Sequence, residues 1–586
     1  MSGILNPNLS GLGGAAASAI NPALSGLSAG SSTASKLRQP VGNGNLAPYT
    51  NTTTTSRVLT FVKKRYVAKD ASRSLLRFRY VNFTAGGVSE AVGYPDMVIK
   101  AGYAASYGGA VTAATFNKGA SEVYLPAGAA FVETDDINVT VAAGAAFYEI
   151  VRIVLPLLFK TRTVPFVVGM VVTGGTSGAT GTVVKVVDGT TGSLTLQSET
   201  GTFVDGEVLT GVLAGYTNGV AVADRATTQT LIYTISSHKI WNEGVIGNGN
   251  TSINYTTAFP NSLPVLTPAI VSGNISTVAG TGGTGNVSAL NLVAYQWTNN
   301  VLYSKTIGYC NVGGGAITSS VVTSGTPPAG LAAWDATCKV MASSGSGFGT
   351  DSAIYCAAEV NGIPSVPVKT ITVIGDSISR GDSATDSTGD LFVNHGIERA
   401  VANAVAVNNM SRSSASLSYD YQGLAGGVST IYPRLYGLYM GRTTHALITQ
   451  SRNDVAALAT QSAIAGYINT LSTYVRSFGT KVALGTCVPS TTGTWTTEAG
   501  QTAIAGFTSG GVRDQLNTAL RNGTILSDFG LFDIDAFFYG VDATKWRVDL
   551  NGGGTASTQE GIHPSLLGWG YEGADPTLSG FFTSLP

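Results

Sequence analysis

The chain has 586 residues, of which 75 are Gly and only 11% are charged, with 33 Lys and Arg set against 34 Asp and Glu. That near-neutral balance excludes an electrostatic nucleic-acid binder, which shows a basic face. No apolar run reaches the roughly 18–20 residues that span a bilayer; the strongest stretch, Phe147 to Phe159, carries Glu149, Arg152 and Pro156 and reads as buried strands. At roughly 100–200 residues per domain the length predicts several domains. Abundant Gly, Thr, Ser, Ala and Val favour short strands and tight turns over long helices.

Residues 1–55 are Gly, Ala, Ser, Asn and Thr with almost no aromatic residues, too little apolar surface to fold alone. Asn6-Pro-Asn-Leu-Ser-Gly-Leu12 recurs as Asn21-Pro-Ala-Leu-Ser-Gly-Leu27. The segment reads as a flexible arm, either a linker or an anchor into a larger assembly. It lacks a positively charged region followed by an apolar core, so no secretory signal is expected.

From Arg57 the pattern turns to strands. Residues 74–81, 121–128 and 136–142 alternate with period two between Gly-rich turns, which predicts an antiparallel β-sandwich or jelly roll over residues 56–162 and 227–365. A small β module is expected as an insert at 163–226. There Phe166-Val-Val-Gly-Met-Val-Val-Thr-Gly174 is echoed by Phe203-Val-Asp-Gly-Glu-Val-Leu-Thr-Gly211, with Gly174-Gly-Thr-Ser-Gly-Ala-Thr-Gly181 between them. Cys310, Cys338, Cys356 and Cys487 match no zinc spacing. A disulfide among the first three and free buried thiols are both open readings.

Residues 366–586 have another rhythm. Apolar strands at 370–374, 445–449, 481–486 and 532–534 are separated by helical segments. Val455, Leu458, Ile464, Ile468, Leu471 and Val475 fall at helical spacing. Strand, helix, strand in repetition predicts a parallel α/β sheet.

Three segments of this region carry chemistry. Ile371-Thr-Val-Ile-Gly-Asp-Ser-Ile378 runs a buried strand into an abrupt turn, where Gly375 allows unusual backbone angles and Ser377 reaches the carboxyl edge of the sheet. Thr449-Gln-Ser-Arg-Asn-Asp454 ends another strand; Asn453 can offer an amide donor to an oxyanion, and Asp454 reads as the cap of the helix that follows. Glu560-Gly-Ile-His-Pro564 sets a carboxylate three residues before His563. A serine hydroxyl, an imidazole to take its proton and an acid to hold the ring are what nucleophilic ester hydrolysis requires. Of the other histidines, His238 lies in the β region, His395 in a helical stretch and His445 at the start of a strand.

Together these segments resemble the SGNH hydrolase (GDSL-like) superfamily. Gly375-Asp376-Ser377 resembles its nucleophile turn, Ser451-Arg-Asn-Asp454 its Gly-x-Asn-Asp segment, and Glu560-Gly-Ile-His-Pro564 its Asp-x-x-His-Pro segment. Its oxyanion glycine falls near Asn409-Met-Ser-Arg-Ser-Ser414, where this chain has Ser414. Two further departures are Ser451 for Gly and Glu560 for Asp. The resemblance covers about residues 366–586 and implies a flavodoxin-like α/β hydrolase domain. It implies a catalytic Ser377, His563 and Glu560, an oxyanion hole of Ser377, Asn453 and Ser414, and no metal or organic cofactor. Residues 75–82, 114–117 and 123–128 look like the sandwich that precedes the catalytic domain in some bacterial GDSL-type esterases. The Gly-rich turn of the insert is similar to modules of bacteriophage tail proteins.

These resemblances imply a phage tail fibre or tailspike-like esterase, made in the host cytoplasm and carried on the virion. It would remove acyl groups, O-acetyl above all, from a host surface polysaccharide. Tyr419, Tyr421, Trp546 and Trp569 would stack on sugar rings or serve ordinary packing. Expected partners are the polysaccharide, other virion proteins through the arm, and further copies of the chain, a trimer by analogy, with no nucleic acid and no membrane insertion. Competing expectations are a glycan-binding tail adhesin without activity and a bacterial GDSL-type esterase or lipase on small esters.

Overall fold

The computed structural model describes residues 38–233, 290–310, 339–344 and 357–586, apart from residues 84–95, 381–404, 425–434, 436–441, 551–556 and 566–574 and a few shorter stretches of four residues or fewer. The chain is β-rich and multidomain. Arg73–Tyr80 lies at the centre of one antiparallel sheet, between Ile137–Val141 and Glu359–Pro364. Leu59–Val67, Ala146–Val154 and Met97–Ala104 build a second. Alternation explains the packing: Leu76, Phe78 and Tyr80 turn inward and share one core with Ile99, Phe147 and Val151.

The boundaries differ from those the sequence predicts. Part of the expected 1–55 arm forms strands, at Gln39–Pro40, Gly44–Asn45 and Tyr49–Thr55. Gln39–Pro40 pairs with Glu359–Pro364, and Val41 is buried with its N–H on the Val360 carbonyl at 2.9 Å. Among the described strands of residues 227–365, Glu359–Pro364 is the one that pairs into the sandwich. Gln229–Tyr233 pairs with Tyr49–Thr55, and Leu290–Thr298, Val301–Cys310 and Lys339–Ser344 form their own three-stranded sheet. Cys338, Cys356 and the Cys310 side chain lie outside the described residues, as do residues 1–37 with their internal repeat.

The insert is a closed six-stranded barrel that starts at Leu157 rather than 163. Its two echoed segments are neighbours: Val171–Gly174 pairs with Val208–Val212, and Phe166 and Phe203 both enter the barrel core. Gly169 and Gly206 hold equivalent turns at φ 92° and 77°, a region that favours glycine. Glu207 grips the Gly-rich turn, accepting from the N–H groups of Thr176 and Ser177 at 3.0 and 2.8 Å. The barrel is tied to the sandwich by Lys185 on Asp96 at 2.8 Å.

The C-terminal domain is the α/β unit. Its strands are β1 (Thr370–Ile374), β2 (Ala406–Asn409), β3 (His445–Ile448), β4 (Lys481–Gly485) and β5 (Leu531–Phe532), all parallel, in the order 2-1-3-4-5. That is the flavodoxin-like order, whose strand order reverses beside β1. Gly44–Asn45 adds a further parallel strand outside β2. Helix α1 (Ser377–Arg380) follows β1, and α2 (Leu417–Leu424) follows β2. The helical spacing read from Val455 to Val475 is carried by two helices, α3 (Arg452–Ala456) and α4 (Gln461–Arg476). The break falls where Leu458 is 56% exposed at φ 59°.

A buried ion cluster joins this domain to the sandwich. Glu133 and Glu359 from the sandwich face Arg79 of the same sheet and Arg442 before β3. Asn408 of β2 donates to Glu359 at 3.1 Å. Burial alone would raise the Glu133 carboxyl, but Arg79 and Arg442 outweigh it and hold the group at about 2.

Candidate active site

β1 ends at Ile374 and the chain turns through Gly375 and Asp376 into α1. A side chain at Gly375 would collide with the side chains of Ser379 and Ser411 at 2.5 and 2.7 Å, so glycine is required by close approach. The carboxylate of Asp376 accepts from the Ile378 N–H at 2.9 Å and fixes the turn. This carboxyl is wholly buried, and burial pushes it up to about 6 against the pull of that hydrogen bond, His563 and Arg452. Ser377 is thereby set at the carboxyl edge of the sheet, 8% exposed.

His563 arrives from a segment 186 residues later, with its Nε2 2.8 Å from Ser377 Oγ. Glu560 pairs with His563 Nδ1 on the other side of the ring. With Nδ1 protonated toward the carboxylate, Nε2 is left as the acceptor for the serine proton; the tautomer is assigned from these partners. The Glu560 side chain is 42% exposed and that of His563 15%. The longer carboxylate of Glu, where the resembled family has Asp, therefore does reach the ring.

The oxyanion candidates lie on the loop after β2 and in the first turn of α3, beside the turn at Gly375-Asp376-Ser377. The Arg412 N–H donates to the Gly375 carbonyl at 3.0 Å, and Asn453 Nδ2 donates to the Ala415 carbonyl at 2.7 Å. Ser414 sits between these ties, exposed, with φ 60°. A left-handed backbone there is the conformation that a glycine adopts without strain. Asn453 Oδ1 accepts from Arg452 Nη1 at 3.1 Å. Its amide is thus pinned on both sides, and one of the two Nδ2 hydrogens remains for another acceptor.

Asp454 does not cap the helix that follows it. Its carboxylate accepts from the N–H groups of Leu417 and Ser418 at 2.7 and 3.0 Å, capping α2 across the site. Thr460 caps α4 instead. The acid is used where a loop from β3 meets one from β2, which spacing along the chain cannot reveal.

Trp546 is not a sugar platform: it is fully buried, packs on Phe538 with ring centroids 5.7 Å apart, and spends its indole N–H on the Gly561 carbonyl at 2.9 Å. Tyr419 is half-buried beneath the Arg412 guanidinium, 4.9 Å from its ring centre, and Tyr421 packs on Tyr467. Trp569, His238 and His395 lie outside the described residues. His445 is buried edge-on to Phe529 and bonded to Thr444. Cys487 is a free buried thiol, pushed up to about 12 by burial. Among the described residues no cluster of His, Cys, Asp and Glu could hold a metal ion, and no helix is long and apolar enough to cross a membrane.

The sequence motifs missed Thr558. Its hydroxyl donates to the His563 carbonyl at 2.7 Å and accepts from the Gly561 N–H at 3.0 Å, bracing the loop that carries Glu560 and His563. Its position two residues before Glu560 was the one available signal.

No protein-family model and no curated protein sequence matches the chain. Among solved structures, it is similar to the lipase Lip_vut3 from a goat rumen metagenome, at 14% identity and TM-score 0.25 over 36% of this chain and 98% of that one. It is likewise similar to a GDSL-like lipase from Bacteroides thetaiotaomicron, at 12% identity and TM-score 0.25 over 37% and 89%. A member of the lipolytic G-D-S-L family from Veillonella parvula aligns at 14% identity and TM-score 0.24 over 37% of this chain and all of that one, 100%.

Proposed function

We propose that the chain is a serine ester hydrolase. The observation that carries this reading is one line of contacts: Ser377 Oγ to His563 Nε2 at 2.8 Å, and His563 Nδ1 to Glu560. Ser377 Oγ attacks the ester carbonyl as its proton passes to Nε2, forming a C–O bond and a tetrahedral oxyanion. Collapse breaks the bond to the alcohol, which leaves with the Nε2 proton. Water then attacks the acyl-serine by the same route, releasing the acid and restoring the hydroxyl. The oxyanion is held by the Ser377 N–H, the Asn453 amide and the backbone at Ser414.

The substrate in this proposal is an O-acetylated polysaccharide of a host surface, and the setting a phage tail. The 42% exposed side chain of Glu560 supports a polymer substrate, since that end of the Ser377–His563–Glu560 line opens to solvent. The low-complexity residues 1–37 and the Gly-rich turn of the barrel support attachment to a larger particle, as a homo-oligomer. Hydrolysis of p-nitrophenyl acetate by wild type and Ser377→Ala tests the chemistry; equal rates would remove Ser377 as nucleophile. Loss of acetyl mass from host polysaccharide tests the substrate. Turnover of long acyl esters without polysaccharide deacetylation would favour a lipid or small-ester substrate. Glycan binding without turnover would favour an adhesin.

A further inference from the structure

Two residues separate Glu560 from His563, and the backbone between them is gripped from both sides. Gly561 has φ 79°, and a Cβ there would stand 2.1 Å from the Thr491 carbonyl oxygen and 2.6 Å from Trp495 Nε1. Its carbonyl accepts twice, from the Thr491 N–H at 2.8 Å and from Trp546 Nε1–H at 2.9 Å. Thr558 holds the opposite side, through the Gly561 N–H and the His563 carbonyl.

Trp546 is itself placed by Gln501, whose side-chain amide donates to the Trp546 carbonyl at 2.8 Å and accepts from the Trp546 N–H at 2.9 Å. Gln501 begins the second strand of a hairpin, Thr491–Gly493 with Gln501–Ala503, and Thr491 of the first strand supplies the other donor to Gly561. Hairpin and indole therefore close a ring of hydrogen bonds around one carbonyl. A buried indole N–H must find an acceptor. Here that acceptor is the residue next to the catalytic acid.

We propose that Trp546 is a positioning residue for the Glu560–His563 pair, acting through the Gly561 carbonyl. This rests on the hydrolase reading above for its kinetic consequence but not for its geometric one. Glu560 is exposed, so its carboxylate faces competition from water; the fixed backbone from Gly561 onward keeps it on Nδ1. Without the indole donor the Gly561 carbonyl retains one partner, the loop loosens, and the carboxylate leaves the ring for part of the time.

The test compares Trp546→Phe, which keeps an aromatic ring and deletes the N–H, with Leu578→Ala, which weakens the same core cluster without a hydrogen bond to the loop. On p-nitrophenyl acetate, Trp546→Phe lowers kcat about tenfold with KM unchanged, the scale of one neutral hydrogen bond felt at the transition state. Leu578→Ala lowers the thermal midpoint but leaves kcat within about twofold. Independently of turnover, the downfield proton resonance of a carboxylate-bound His563 Nδ1–H, assigned by its loss in His563→Ala, weakens in Trp546→Phe and persists in Leu578→Ala. Wild-type kcat together with an intact resonance in Trp546→Phe overturns the proposal, as does equal loss of both signals in Leu578→Ala. If wild type and Ser377→Ala hydrolyse alike, the hydrolase reading fails, and the resonance alone still decides the positioning role.

Discussion

Replacing Glu560 by Gln keeps the shape of the side chain and removes its charge, at the moment the reaction needs that charge most. In the proposed reaction Ser377 attacks and His563, which contacts both Ser377 and Glu560, becomes an imidazolium beside the acid. Two unit charges about 4 Å apart attract by about 4 kcal/mol at an effective dielectric of about 20. The Glu560 side chain is 42% exposed, so water screens part of this, and about 2 kcal/mol is left to act on the transition state. That amounts to a loss of roughly 30-fold in kcat, with KM unchanged because the neutral ground state does not feel the charge. Steady-state hydrolysis of p-nitrophenyl acetate by wild type, Glu560→Gln and Glu560→Asp measures it; the Asp variant, charged but one methylene shorter, falls between the other two. A Glu560→Gln rate within twofold of wild type would refute the assignment of Glu560 as the acid. A loss as deep as that of Ser377→Ala would refute the screening argument.

Asn453→Ala removes the amide pinned between Ala415 and Arg452; kcat falls about 100-fold, as for loss of one oxyanion donor, while KM for the same ester is preserved. Ser414→Gly relieves the left-handed backbone at φ 60°; the thermal midpoint holds or rises and esterase activity survives, because only a backbone N–H is used there. The ion cluster predicts acid sensitivity. Glu133 is held at about 2 in the folded chain, against an ordinary value of 4.5, so its ionised form contributes up to about 3 kcal/mol above pH 4.5, lost as pH falls toward 2. Glu133→Gln therefore unfolds at lower temperature than wild type at pH 7, and the gap narrows between pH 4.5 and 2; a constant gap across that window would show that the cluster does not set the acid limb.

How far the sequence was legible depends on how local each signal is. The strand that turns at Gly375 could be read because burial of Ile371–Ile374 and the glycine that follows lie within a few residues of each other. The pairing of Glu560 with His563 could be read for the same reason, the two being three residues apart. Strand β2 (Ala406–Asn409) was not foreseen, since it reads Ala-Val-Asn-Asn and half of it is a residue type that strands disfavour, whereas His445–Ile448 of the same length ends in an apolar run. Nor could Trp546 be told from a surface aromatic, because an indole buried for its N–H and one exposed for stacking look alike in a string of letters. Least accessible was the cluster of Arg79, Glu133, Glu359 and Arg442, whose members are drawn from across more than half of the chain. The barrel's early start at Leu157 was hidden because Leu157–Phe159 continues the apolar run of Ala146–Val154, with only Pro156 marking the change of partner.

The strand Gly44–Asn45 borders the parallel sheet although it belongs to the other end of the polypeptide. A fragment beginning near residue 366 would therefore expose the unpaired rim of Ala406–Asn409, an invitation to sticking between molecules. Ribosomal synthesis makes the bordering strand first, and its partner follows more than 350 residues later, so completion of the parallel sheet draws on two distant parts of the chain rather than on one domain.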